Sequence, residues 1–196
     1  MTKIQKYIKS IERSNSKFLK MTPAKQRVQI AKDVIAALKA KRLEAEHQTY
    51  LQVGGYITEN RILENESDSF KDTLKTIPTC TVCAKGAIFT CTVARKNKVT
   101  NEQAMSQNWD CDPLSKSLKG TFSAHQLRLI ETEFEDDDID GFGDAIARIA
   151  GAREIRPVME LHELFNNAED RMIAIMKNII ANKGTFKPKA PKDKSK

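Results

Sequence analysis

The residues best equipped for chemistry are four cysteines: the pair Cys80-x-x-Cys83 within CTVCAKGAIFTC, then Cys91 at the end of that run, then Cys111. A Cys-x-x-Cys pair can open a zinc site, form a redox couple or supply a thiolate nucleophile. Zinc would recruit Cys80, Cys83 and Cys111, because sulfurs bonded at about 2.3 Å to one ion sit within about 4 Å of each other. Read as one continuous helix, the segment puts Cys80, Cys83, Ala87 and Cys91 within an arc of about 80°, with Val82, Phe89 and Val93 opposite. Such a helix is apolar on two faces and belongs in a core, where small thiols allow a neighbour to approach closely. Its rise would hold Cys80 and Cys91 about 16 Å apart, too far for one metal. Thiols as core packing is the preferred reading, with zinc and a redox or catalytic thiol as the alternatives, and no cofactor is expected.

Other groupings are weaker. DDDIDGFGDAIA places Asp136, Asp138 and Asp140 at positions 1, 3 and 5 of an EF-hand loop and Gly141 at position 6. Position 8 is Gly143, however, and position 12 is Ala147, where the loop needs a bidentate glutamate. A solvated acidic turn is preferred over a calcium site. His47, His125 and His162 are dispersed, and His162 lies in HELF without the second histidine of a zinc-peptidase helix. VGGYI and DGFGDA lack the spacing and the Lys-Ser/Thr of a phosphate loop. No small-molecule substrate is predicted, and the chain reads as non-enzymatic.

Charge carries more information. Residues 1–42 hold twelve Lys/Arg against Glu12 and Asp33, a net +10; residues 183–196 add +5; the span between them carries −8. A basic head and tail around an acidic middle suggest a surface for an anionic partner, or self-neutralisation within the molecule. No apolar run reaches the length of a membrane span, and the N-terminus lacks the apolar core of a secretory signal. With sparse cysteines, the expectation is a soluble, cytoplasmic protein with reduced thiols.

These residues need elements to position them. Residues 3–19 predict an amphipathic helix with Ile4, Ile8 and Ile11 on one face and lysines around it. Thr22-Pro23 starts a second helix running to about residue 41, with Val28, Ala31, Ile35 and Leu38 in its stripe. Alternation over 43–51 and Gly54-Gly55 predict one small β-hairpin near 43–57. Phe122-Ser123 with Gln126 and Leu127 reads as a staple and capping box. Short helices follow over 145–152 and 158–165. Asn167 caps a last helix with Met172, Ile175, Met176, Ile179 and Ile180 on one face, and Gly184 stops it. The expected architecture is a mainly α, single-domain bundle-like core over 1–184, with 1–20 as a separable basic helix and 185–196 as a flexible basic tail.

The pieces CTVCAKGAIF, MTPAKQRVQIAKDVIAAL and RMIAIMKNIIANKGTFKP together resemble a set of uncharacterised small bacterial and bacteriophage proteins that share a C-x-x-C-A-x-G-A segment. They cover about a third of the chain. The resemblance implies an accessory protein, phage-encoded in some cases, and brings no site residue with it. The functional expectation is therefore an interaction protein that engages a protein partner, or copies of itself, through the N-terminal helix and tail. Its contact set is Lys3, Lys6, Lys9, Arg13, Lys17 and Lys20 around Ile4, Ile8 and Ile11. The alternative is a sequence-nonspecific nucleic-acid binder, since lysines in a row neutralise phosphates without reading bases. A small zinc protein ranks third.

Overall fold

The computed structural model describes residues 3–54, 65, 67–96, 99–105, 118, 120–135 and 167–187, with the side chains of Lys3 and Ile4 outside that set. Seven helices and three short strands are described. In chain order they are α1 (Lys3–Leu19), α2 (Pro23–Lys39), β1 (Leu43–Ala45), β2 (Gln52–Val53), α3 (Phe70–Thr76), β3 (Cys80–Val82), α4 (Ala84–Lys96), α5 (Asn101–Met105), α6 (Ala124–Glu135) and α7 (Ala168–Ala181). The fold is mainly α with a small sheet, as the composition implies. Among the described residues no helix is long and apolar enough to cross a membrane.

Helix α4 is the axis of the molecule. It packs against α1, α2, α3 and α6. Ten of its residues are buried, among them Ile88, Phe89, Cys91 and Val93 on different sides. Burying each large apolar side chain contributes about 1.5–3 kcal/mol, so a helix surrounded on all sides concentrates stability there. The second hub is α2, which touches α1, α4, α7 and β1. Its buried apolar residues are Ile30, Ala31, Val34, Ala37 and Leu38, so Ala31 and Leu38 of the expected stripe are buried while Val28 and Ile35 are only half-buried. The stripe is rotated from the expected one because α7 and α4 cover α2 from two directions.

The sheet departs from the expected hairpin. β1 and β2 do not pair with each other; β3 lies between them, parallel to β1 and antiparallel to β2. The registers are Leu43 opposite Cys80 and Val53 opposite Cys80. The continuous helix expected over 80–91 is also corrected: 80–82 are extended and the helix starts at Ala84. The physical reason lies in the residues. Pro78 pushes the residue before it out of the helical region, and Ile77 has φ −74° and ψ 139°. Thr79, Thr81 and Val82 are β-branched and suit a pleat. The backbone N–H of Cys80 and of Gly54 then bond Arg42 and Thr79 carbonyls at 3.0 Å each.

Two contacts fix how the loops cross the helices. A Cβ on Gly86 would stand 1.6 Å from the Tyr50 carbonyl oxygen, so only glycine lets the chain after β1 pass over the first turn of α4. At the end of α7, Gly184 (φ +97°) comes so near the Ala24 carbonyl that a Cβ would lie 2.4 Å from it. The expected caps at Ser123 and Asn167 are present, accepting from the Gln126 and Asp170 N–H groups at 3.2 and 2.8 Å. Gln126 does not close the box, because its side chain accepts the Phe186 N–H at 2.7 Å. Phe186, expected in a flexible tail, is buried at 2% exposure. The helices expected over 145–152 and 158–165 and the chain beyond Lys187 lie outside the described residues.

Candidate anion-binding face and the cavity beneath it

Helix α1 docks through its apolar side. Ile11 and Phe18 are buried, and Tyr7 and Ile8 are half-buried against α2 and α4. A buried ion pair anchors the same seam. The Arg95 guanidinium donates to both Asp33 carboxylate oxygens, through Nε and, at 2.9 Å, through Nη2. Arg95 also donates to Ser14 Oγ at 3.2 Å and lies 4.8 Å from the Phe18 ring centroid. One arginine on α4 thus holds α1 and α2 together. Losing either charge would leave the other buried and unpaired, at a cost of about 3–5 kcal/mol.

With that side occupied, the other side of α1 is the exposed one. Lys6, Lys9, Arg13, Lys17 and Lys20 are all exposed. At 100° per residue the four on α1 fall within about 80° of arc over about 17 Å of helix, and Lys20 follows in the turn after it. The single acid of α1, Glu12, points about 100° from the centre of this row and approaches Lys75 at 4.0 Å. The row is therefore a line of cations uninterrupted by a carboxylate. Ile11 lies in the protein's own core and cannot supply an apolar contact to a partner while α1 stays docked. Lys3 and Ile4 lie outside the described side chains. Among the described residues, Leu19, at 54%, is the one large hydrophobic residue exposed.

The cysteines are packed inside. Cys80, Cys83 and Cys91 are buried and free. Burial pushes the Cys80 and Cys83 thiols up to about 12 and the Cys91 thiol higher still. For Cys83 the Glu135 carboxylate adds to the rise, while the N–H groups of Gly86 and Lys85 at the start of α4 oppose it. Thiols held protonated in this way are weak nucleophiles. The chain reversal between β3 and α4 does overturn one expectation: Cys80 and Cys91 are not separated along a helix but line the same cavity. Among the described residues no three His, Cys, Asp or Glu side chains are grouped to hold a metal. Cys111 of the zinc set, Asp136, Asp138 and Asp140 of the calcium set, and His162 lie outside the described residues.

A second polar cluster sits where α6 ends. Glu133 is 5% exposed, and burial raises its carboxyl to about 8 against the opposing charge of Arg171. Glu135 is raised too, chiefly by burial, although Gln48 N–H donates to it at 2.5 Å and Cys83 bonds it. His47 stacks on Phe134 with ring centroids 4.8 Å apart. His125, by contrast, is exposed on α6, away from any such partner set.

The cavity under α1 measures about 50 Å³ and is walled by Ile8, Ile11, Leu43, Leu74, Cys80 and Cys91, among others. Sequence reasoning missed it because Arg42 sits among the charges of KAKRLEAE, Thr90 sits in the apolar IFTCTV run, and neither matches a motif. The one available signal was Thr90, a hydroxyl inside an otherwise buried helix segment, which needs a partner. Comparison of the chain with protein-family models, with characterised proteins and with solved structures finds no match. Function has to be read from this geometry.

Proposed function

We propose that the protein is a non-enzymatic binding protein that lays the basic row of α1 along an extended polyanion, nucleic-acid backbone in the first place, without reading base sequence. The observation that carries this reading is the line of five exposed cations with no acid among them. The apolar side of α1 is engaged with α2 and α4, so binding runs on charge rather than on apolar burial. A protein partner would meet the same cationic face and would have to be acidic. Protonated, buried thiols support a role without covalent chemistry, and the three cysteines among the described residues, all free, suit a reducing compartment such as the cytoplasm.

Fluorescence polarisation with a labelled duplex and a labelled single strand tests the reading. Five neutralised phosphates give a slope of log K against log salt near −4.5 on duplex DNA, or about a 500-fold loss between roughly 50 and 200 mM salt. Affinity should be alike for unrelated sequences. Absence of binding at the lower salt, or a flat salt response, would reject the proposal. Deleting α1 is the wrong experiment, because Ile11 and Phe18 belong to the core and their loss would unfold the protein rather than report on binding.

A further inference from the structure

The cavity beneath α1 contains two buried polar groups that the protein itself does not satisfy. Thr90 is 6% exposed, and its Oγ1 has no hydrogen-bond partner. Arg42 is equally buried, and its Nε–H has no acceptor. The rest of the Arg42 guanidinium is committed to the carbonyls closing α3: Nη1 donates to Ile77 and, at 2.8 Å, to Pro78, and Nη2 donates to Leu74. These are neutral acceptors, and among the described residues no carboxylate lies within salt-bridge distance of Arg42. A buried guanidinium without an anion is costly, and so is a buried hydroxyl without a partner. Both line the same space. They are suited to one negatively charged, hydrogen-bond-accepting group.

The other walls define the rest of the occupant. Ile8, Ile11, Leu43 and Leu74 offer apolar contact, which hydrated inorganic anions would waste. A volume of about 50 Å³ accommodates about three to five non-hydrogen atoms at roughly 10–15 Å³ for each water-sized group. Lys75 and Glu12, both exposed, mark the mouth, with Lys71 half-buried beside them. Lys75 is paired there with Asp72 at 2.8 Å and lies 4.0 Å from Glu12, which leaves Lys71 as the cation that favours entry of an anion.

We propose that this cavity is a binding site for a short-chain monocarboxylate of the size of acetate or propionate, its carboxylate held by Arg42 Nε–H and the Thr90 hydroxyl and its alkyl group packed on Ile11, Leu43 and Leu74. So small a ligand is bounded to a Kd weaker than about 40 µM for acetate and about 3 µM for propionate, and millimolar binding is the expected range. The site is independent of the basic row, whose cations lie on the opposite side of α1.

The test is a ¹H–¹⁵N titration of the full-length protein with sodium propionate, beside sodium chloride and sodium phosphate at matched ionic strength. Propionate should produce saturable shifts at the amides of Leu43, Cys80, Thr90 and Cys91, and chloride and phosphate should not. Thr90→Val keeps the shape, removes the hydroxyl and should raise the Kd about fivefold, the effect of one lost hydrogen bond. Ala94→Leu, at the cavity wall, should abolish saturation and serves as the deciding variant if Thr90→Val disturbs the fold. Non-saturating shifts with propionate would overturn the proposal. So would equal saturation by phosphate, or an unchanged Kd in the folded variants.

Discussion

Buried ionisable side chains have consequences that can be measured one residue at a time. Glu133 holds its proton up to about pH 8 in the folded protein, against an ordinary value of 4.5. The native state therefore binds this proton more tightly than the unfolded chain. Its stabilising effect is complete below about pH 4.5 and disappears as pH rises through about 8. The thermal midpoint should accordingly fall between pH 5 and 9, and Glu133→Gln, which stays neutral throughout, should flatten that decline. An equally steep decline in the variant would show that another group governs it. The thiols give a second residue-scale expectation. At pH 8 and native conditions, peptide-resolved iodoacetamide labelling should leave Cys80, Cys83 and Cys91 unmodified over the time that unfolded protein is fully labelled, because burial keeps them from forming thiolates. Rapid native labelling of Cys83 would mean that the start of α4 opens readily.

At the scale of elements, the crossing of α4 by the loop after β1 is the tightest joint. Gly86→Ala puts a methyl carbon into the Tyr50 carbonyl and should destabilise by at least about 3 kcal/mol, measured by chemical denaturation. Gly120→Ala is the control: nothing stands within 4 Å of the added carbon, and only its φ of +81° opposes it, at a cost of about 1–2 kcal/mol. Similar losses from both would remove the steric explanation. This joint also marks the limit of what could be read from the sequence. Helices α1, α2, α6 and α7 were legible because their apolar period and their Pro23, Ser123 and Asn167 start signals are local. The partition of CTVCAKGAIFTC into strand and helix was not. The Cys/Ala stripe satisfies a helical period across both parts; Pro78 and the β-branched Thr79, Thr81 and Val82 lean toward extended chain, and pairing with β1 and β2, residues 43–45 and 52–53, fixes 80–82 as a strand. Likewise the alternation near 43–53 signalled extended chain correctly, but not that β3 would insert between its halves. For the site, the lysines of α1 were legible in composition; their single uninterrupted row became clear once the opposite side of the helix was seen to be occupied. Asp33 and Arg95, 62 residues apart, carry no joint signal in the sequence.

For the whole molecule, charge is segregated onto a docked, rigidly backed helix. The full chain carries +7 with its excess in the first 42 residues. Arg95, Asp33 and Phe18 hold the underside of α1 while the cations face outward. A row fixed in this way presents its charges without first ordering a flexible arm, so binding should show little change in helicity and a strong dependence on salt. The most direct measurement is the salt slope of duplex-DNA binding for the wild-type protein and for Lys9→Gln/Arg13→Gln, whose exposed positions leave the core untouched. Removing two of five phosphate contacts should reduce the slope in magnitude from about 4.5 to about 2.7 while the thermal midpoint stays unchanged. An identical slope in the two proteins would contradict the assignment of the α1 row as the binding face.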